Sequence, residues 1–175
     1  MQLLGIAAMS LDGCLTCHDR PGTGFASAED HAFFQDALQT FDCSIAGRRT
    51  YEAAREAILR AGPGPRLQIV LTSTPGRFTE ARTDHLEFRN AGVAEVAREL
   101  TRRGRTRCAL LGGTGLYTEA CALGLLDELW VTIEPVAFGE GVRMFRGPVE
   151  FRFELAESVA LSGNTLVLKY RRLGG

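Results

Sequence analysis

Leu111-Gly112-Gly113-Thr114-Gly115-Leu116-Tyr117 is the stretch on which the reading of this sequence turns. It follows the short apolar run Cys108 to Leu111 and opens a helical stretch, Gly115 to Leu123, closed by Gly124. Strand, glycine turn and helix therefore succeed one another without a linker. Glycines at such a turn let the backbone approach a ligand closely and adopt positive φ. The exposed N–H groups of a helix start, reinforced by the helix dipole, favour an anion such as a pyrophosphate. The segment departs from the G-x-G-x-x-G fingerprint, so the same residues also read as a plain tight turn.

Outward from this point the strand–turn–helix order repeats. Gln2 to Met9 reads as a buried strand and Ser10 to Ala26 as a long loop rich in Gly, Asp, Thr and Pro. Ser27 to Phe41 reads as a helix with Ser27 as N-cap and Phe34, Ala37, Leu38 and Phe41 on one face. Cys43 to Ala46 reads as a strand that turns at Gly47 into a helix from Thr50 to Leu59, ended by Pro63 and Pro65. Leu67 to Leu71 and, more weakly, His85 to Phe88 follow as strands. A helix from Gly92 to Arg103 carries Val93, Val96, Ala97 and Leu100 on one face and stops at Gly104. Leu129 to Ile133 is a further strand, and Phe151 to Leu161 and Thr165 to Arg171 flank the hairpin signal Ser162-Gly163-Asn164. The expected fold is a single α/β domain over residues 1–175: three α/β/α layers, a mostly parallel central sheet and an antiparallel C-terminal edge hairpin. In such sheets ligands bind at the carboxyl ends of the strands.

Two more loops at strand ends carry anion-compatible chemistry. Gly47-Arg48-Arg49-Thr50-Tyr51-Glu52 places two arginines at a helix start, where they oppose the dipole but suit a phosphate. Leu71-Thr72-Ser73-Thr74-Pro75-Gly76-Arg77 clusters hydroxyls after a strand, a pattern that either holds a ribose phosphate or builds a turn. Three such loops at one end of one sheet point to a phosphorylated dinucleotide, and the arginines to its 2′-phosphate form.

Asp30 lies in the first turn of the Ser27 helix, four residues before Phe34, and so on the apolar stripe. A carboxyl there is partly desolvated, which raises its pKa and suits a proton donor or an anchor for a cationic heterocycle. Ser27-Ala-Glu-Asp30 is also compatible with a simple capping arrangement.

Composition narrows the classes. A net charge of −1 gives no electrostatic case for nucleic acid or an anionic membrane. No apolar run reaches the roughly 20 residues of a membrane span, and the N-terminus lacks a basic leader, so a cytoplasmic location is the expectation. The five cysteines are odd in number and scattered, as expected of reduced thiols. Cys14-Leu-Thr-Cys17-His18 matches the haem-attachment pattern, but without an export signal it reads as coincidence.

Taken in order, IAAMSLDG, GRRTYE, IVLTSTPG, LLGGTGLY and LLDELWVTIEPVAFGEGVRMF resemble segments of the dihydrofolate reductase superfamily over nearly the whole chain. That superfamily includes the C-terminal reductase domain of the bacterial riboflavin deaminase-reductase. The resemblance implies an NADPH-dependent reductase of a small heterocyclic substrate, a pterin or an aminouracil of riboflavin biosynthesis. It implies Asp30 as the catalytic acid, Thr132 as the hydroxyl bonded to it, and Phe34 and Arg66 against the substrate. Ala8, Leu15 and Tyr117 correspond to the nicotinamide positions. Gly47, Arg48, Arg49, Thr50, Leu71, Thr72 and Ser73 correspond to the adenosine-phosphate contacts. Gly112, Gly113, Thr114, Gly115 and Leu116 match the pyrophosphate turn. The chain departs from both subfamilies: Phe25 stands where folate enzymes usually carry Trp, and the DxPxLxxR stretch of the riboflavin enzyme is missing. No metal is implied, a homodimer is compatible with the apolar C-terminal segments, and the alternative is a non-catalytic nucleotide-binding or ligand-sensing domain on the same fold.

Overall fold

In a computed structural model, residues 1–81 and 84–174 are described. The elements run β1 (Gln2–Ser10), α1 (Ala28–Leu38), β2 (Cys43–Gly47), α2 (Arg48–Ala61), β3 (Leu67–Leu71), β4 (Leu86–Arg89), α3 (Val93–Arg102), β5 (Arg107–Leu110), α4 (Thr114–Ala122), β6 (Glu128–Glu134), β7 (Phe153–Ala160) and β8 (Leu166–Arg172). A 3-10 segment, Pro75–Ala81, lies between β3 and β4. The sheet order is β4-β3-β2-β5-β1-β6-β8-β7. All neighbours from β4 to β6 are parallel, while β8 and β7 close the sheet antiparallel.

Alternation along the strands sorts the layers. Leu4 and Ile6 of β1 and Ala109 of β5 meet Ala37, Leu38 and Phe41 on the α1 side. On the other side Leu3, Leu110 and Val131 meet Val93, Val96 and Leu100 of α3 and Tyr117 and Ala120 of α4. Register carries the first face across the sheet, because Ser44 pairs with Ala109 and Ala46 with Val70. Val70 packs against Tyr51 of α2, with Phe78 and Phe88 completing that cluster. Helices α1 and α2 thus cover one face, and α3 and α4 the other. Val93, Val96 and Leu100 are each 0% exposed, and each such side chain contributes about 1.5–3 kcal/mol by leaving water.

Most boundaries differ from expectation by a residue or two, and three of the differences have a physical reason or bear on the site. Helix α1 stops at Leu38, where the Thr40 hydroxyl donates to the Ala37 carbonyl. Phe41 is buried beyond the helix end, so it continued the period without continuing the helix. Helix α2 begins at Arg48, two residues earlier than read, and Phe151 and Arg152 precede rather than join β7.

Candidate functional site

Strands β3, β2 and β5 are consecutive neighbours, so the three turns that follow them lie side by side. The contacts are direct. The Gly47 N–H donates to the Gly112 carbonyl at 2.7 Å, and the Leu111 N–H to the Ile45 carbonyl at 2.9 Å. A Cβ on Gly47 would lie 3.2 Å from the Gly113 nitrogen, and one on Gly113 would lie 3.8 Å from Thr50 Oγ1. Gly112 has φ +89° and a cis peptide to Gly113. The arginine loop and the glycine turn therefore form one surface.

Helix starts supply its donors. Ser27 caps α1 by accepting from the Asp30 N–H at 3.2 Å; α3 begins at Gly92 without a side-chain cap, and Glu119 of α4 accepts from its Val93 N–H at 2.9 Å. The starts of α2 at Gly47 and of α4 at Gly113 have no side-chain cap. Their first-turn N–H groups face the shared surface with the positive end of two dipoles. Arg49 is exposed beside them, whereas Arg48 donates from Nη1 to both oxygens of Glu52 at 2.9 and 2.6 Å. Thr72 is buried and accepts from the Thr74 N–H at 3.2 Å, so its hydroxyl builds the turn, while Ser73 is exposed. Leu71 is a core side chain, and Leu116 packs partly buried against the core.

Asp30 is 7% exposed, and Thr132, itself 2% exposed on β6, is close enough for its hydroxyl to favour the ionised acid. Thr132 is the register partner of Ala8 on β1, which brings the acid to the strand ends beside the expected nicotinamide position. Burial raises the Asp30 pKa above the usual carboxylate value, opposed by the nearby Thr132 hydroxyl; Glu134 raises it further and His31 lowers it. Phe34 stands partly buried on the same helix face. Leu15 donates its N–H to the Val142 carbonyl at 2.7 Å, pinning the long loop after β1 to the segment after β6.

Two residues sit differently from the direct ligand contacts expected of them. Tyr117 is 2% exposed, with its hydroxyl donated to the Ile6 carbonyl at 2.6 Å. It joins α4 to β1 inside the core. Arg66 precedes β3, at the end of that strand opposite the turns, and donates to the Leu38 carbonyl at the end of α1 at 3.3 Å. Burial lowers its pKa, and its Nε is buried without a partner among the described residues.

Three features were missed from sequence. Glu134 is a buried carboxylate that accepts from the Ser27 N–H and hydroxyl at 2.9 and 2.8 Å and from the Thr165 hydroxyl at 3.1 Å. Its position two residues after Thr132 in a strand, hence on the same face, was the available signal. Asp12 accepts from Ser10 Oγ at 2.5 Å and from the Gly139 N–H at 2.6 Å, and these bonds hold its pKa at about 2. Arg146 lies against the start of α4, its Nη2 3.6 Å from a Cβ on Gly115, and Thr114 donates to the nearby Arg143 carbonyl at 2.5 Å. Cys14 and Cys17 are free thiols in the long loop; Cys14 bridges to Arg143 and His18 to Gly141. Among the described residues no helix is long and apolar enough to cross a membrane.

A family model described as the RibD C-terminal domain matches residues 5–167. The chain belongs to that family. As a RibD C-terminal domain it is 26% identical over 140 residues to the uncharacterised protein YwjB of Bacillus subtilis (strain 168), covering 79% of each chain. Its fold is that of a putative riboflavin biosynthesis protein from Shewanella sp. PV-4, with TM-score 0.77, 19% identity, and 99% and 100% of the two chains covered. It is also that of the deaminase/5-amino-6-(5-phosphoribosylamino)uracil reductase of Thermotoga maritima, with TM-score 0.78 and 15% identity over 98% of this chain and 56% of that one. Dihydrofolate reductase from Enterococcus faecalis, in complex with NADP(H), superposes with TM-score 0.70 and 17% identity over 98% of this RibD C-terminal domain and 96% of that chain.

Proposed function

We propose that this RibD C-terminal domain is an NADPH-dependent reductase of a small nitrogen heterocycle, of the pterin or aminouracil type. One observation carries the reading. The Gly47 and Gly112 turns touch at 2.7 Å, making one anion-binding surface at the end of a sheet whose neighbouring strands present Ala8 and the Thr132–Asp30 pair. The residues fit the cofactor, because two uncapped helix starts meet at turns where a side chain would fill the space. Gly112, Gly113, Thr114 and Gly115 would hold the pyrophosphate. Arg48, Arg49, Thr50 and Ser73 would hold the adenosine phosphate, with Arg48 leaving or sharing Glu52. Ala8 and Leu15 would flank the nicotinamide, which supplies a hydride when bound.

The chain's own part is alignment and a proton. Asp30, kept from water, carries a proton at higher pH than an ordinary carboxylate and delivers it to the heteroatom bonded to the carbon that receives the hydride. Phe34 offers a ring face beside it. The deciding assay follows the loss of NADPH absorbance with dihydrofolate, simple pterins and the phosphoribosylaminouracil. Turnover of any of them supports the reading. Tight NADPH binding with turnover of none would replace it by a ligand-sensing domain.

A further inference from the structure

We propose that Glu134 is a positioning residue for Asp30, tying the first turn of α1 to β6 through Ser27 and bringing a second buried carboxyl group to the acid's face of the sheet. The inference rests on the proposed role of Asp30 and deepens it. The link is an unbroken chain of hydrogen bonds: the Asp30 N–H donates to Ser27 Oγ at 3.2 Å, and Ser27 Oγ donates to Glu134 Oε1 at 2.8 Å. The Ser27 N–H reaches the same oxygen at 2.9 Å. The other oxygen, Oε2, accepts from Thr165 Oγ1 at 3.1 Å, just before β8, so the carboxylate joins three segments distant in the chain.

The chemistry of this carboxylate is unusual for a merely structural acid. Glu134 and Thr165 are each 2% exposed. Three donors converge on it, and among the described residues no basic side chain pairs with it. Three donors, at the positive end of α1, satisfy both oxygens of this buried carboxyl group. Thr132 and Glu134 are two apart on β6, so both point to the face that α1 covers. A like charge at close range disfavours ionisation of its neighbour, and Glu134 acts on Asp30 in that sense. The other titratable group acting on Asp30 is His31, in the opposite sense; the facing groups of β1 and β6 are the uncharged Ala8 and Thr132. One residue therefore fixes where the acid sits and opposes its ionisation.

The test follows the Asp30 carboxyl carbon by carbon-13 NMR across pH, with its resonance assigned by its loss in Asp30→Asn. Glu134→Gln keeps an acceptor for Ser27 and removes the charge. The Asp30 midpoint should then fall by about one pH unit, while the Ser27 amide resonance stays in its capped position. An unchanged midpoint with the cap intact overturns the proposal. A second variant, Ser27→Ala, breaks the chain of hydrogen bonds and keeps both carboxyl groups; it should move the Asp30 midpoint too, and a wild-type midpoint in a folded Ser27→Ala chain overturns the proposal as well. Neither measurement needs turnover, so a silent NADPH assay would sink the proposed function and leave this result standing.

Discussion

Gly47→Ala tests whether two turns form one binding surface. Gly47 has φ −81° and ψ 160°, which any residue adopts, so the substitution brings no backbone penalty of its own. The new methyl would lie 3.2 Å from the Gly113 nitrogen, 3.5 Å from the Gly112 carbonyl oxygen and 3.7 Å from Leu116 Cδ1. The nearest atom is backbone, so the turns must part by a few tenths of an ångström. That stretches the 2.7 Å bond from Gly47 to Gly112, a contact of about 1 kcal/mol. Removing a glycine returns roughly 0.4–1 kcal/mol through the unfolded chain, so the melting temperature should hardly move. Binding should move much more. A 1 Å misplacement costs on the order of a hundredfold in a positioned site, so a displacement about half as large should weaken NADPH roughly tenfold. Titration calorimetry measures it, with Gly64→Ala as control, since no atom lies within 4 Å of that position. Equal NADPH affinity in the two variants would show that the turns do not bind one ligand together.

Asp30→Asn should cut turnover by about a hundredfold or more while leaving NADPH affinity unchanged; parallel loss of both would make Asp30 a helix cap only. Because the folded pKa of Asp30 is raised, its favourable term is complete below the unfolded carboxylate value, about 3.9, and is lost as pH rises through the folded value. Melts of Asp30→Asn and wild type should accordingly diverge in favour of the variant across that window. Asp12 has the opposite sign, with a folded pKa held at about 2 chiefly by Ser10, so its contribution is present above the unfolded value and lost as pH falls through about 2. Asp12→Asn should lower the melting temperature at neutral pH and leave it unchanged near pH 2, read by circular dichroism. Arg48→Ala should weaken NADPH about tenfold more than NADH, and Glu52→Gln, by freeing the Arg48 guanidinium, should tighten NADPH selectively; an equal effect on the two cofactors would remove the 2′-phosphate assignment.

The layers were legible because their signals are local. Leu67–Leu71 is bounded by prolines and has the limits read for it, and Val93, Val96 and Leu100 mark the buried stripe of α3 at helical spacing. What was not local was lost. The period that Phe41 continues after α1 records burial against Trp130 and not helical backbone. Arg48 and Arg49 begin α2 against the dipole, which delayed the expected start. Strand order is set by packing among distant residues, and Glu134 takes its donors from positions 107 and 31 residues away. Arg66 and Tyr117 carried the right residue types for ligand contacts, yet their side chains go to the backbone carbonyls of Leu38 and Ile6, which no spacing rule foretells.

The contrast among helix starts makes the site more than a set of tight turns. A side-chain cap stabilises a helix by about 0.5–2 kcal/mol. This chain takes that contribution at α1 through Ser27; α3, also begun by a glycine without a cap, has its Val93 N–H taken by Glu119 of α4. The chain omits a cap at α2 and α4, with glycine at both cap positions. If the glycines served only to turn the chain tightly, uncapped starts should fall anywhere around the sheet. Among the described residues, the two starts whose first N–H groups no side chain takes follow β2 and β5, which are hydrogen-bonded neighbours, and their turns touch. Donors left unspent at two adjacent helix starts, with Arg49 and Arg146 beside them, are placed for a doubly charged bridging group such as a pyrophosphate rather than for a single water or a lone side chain.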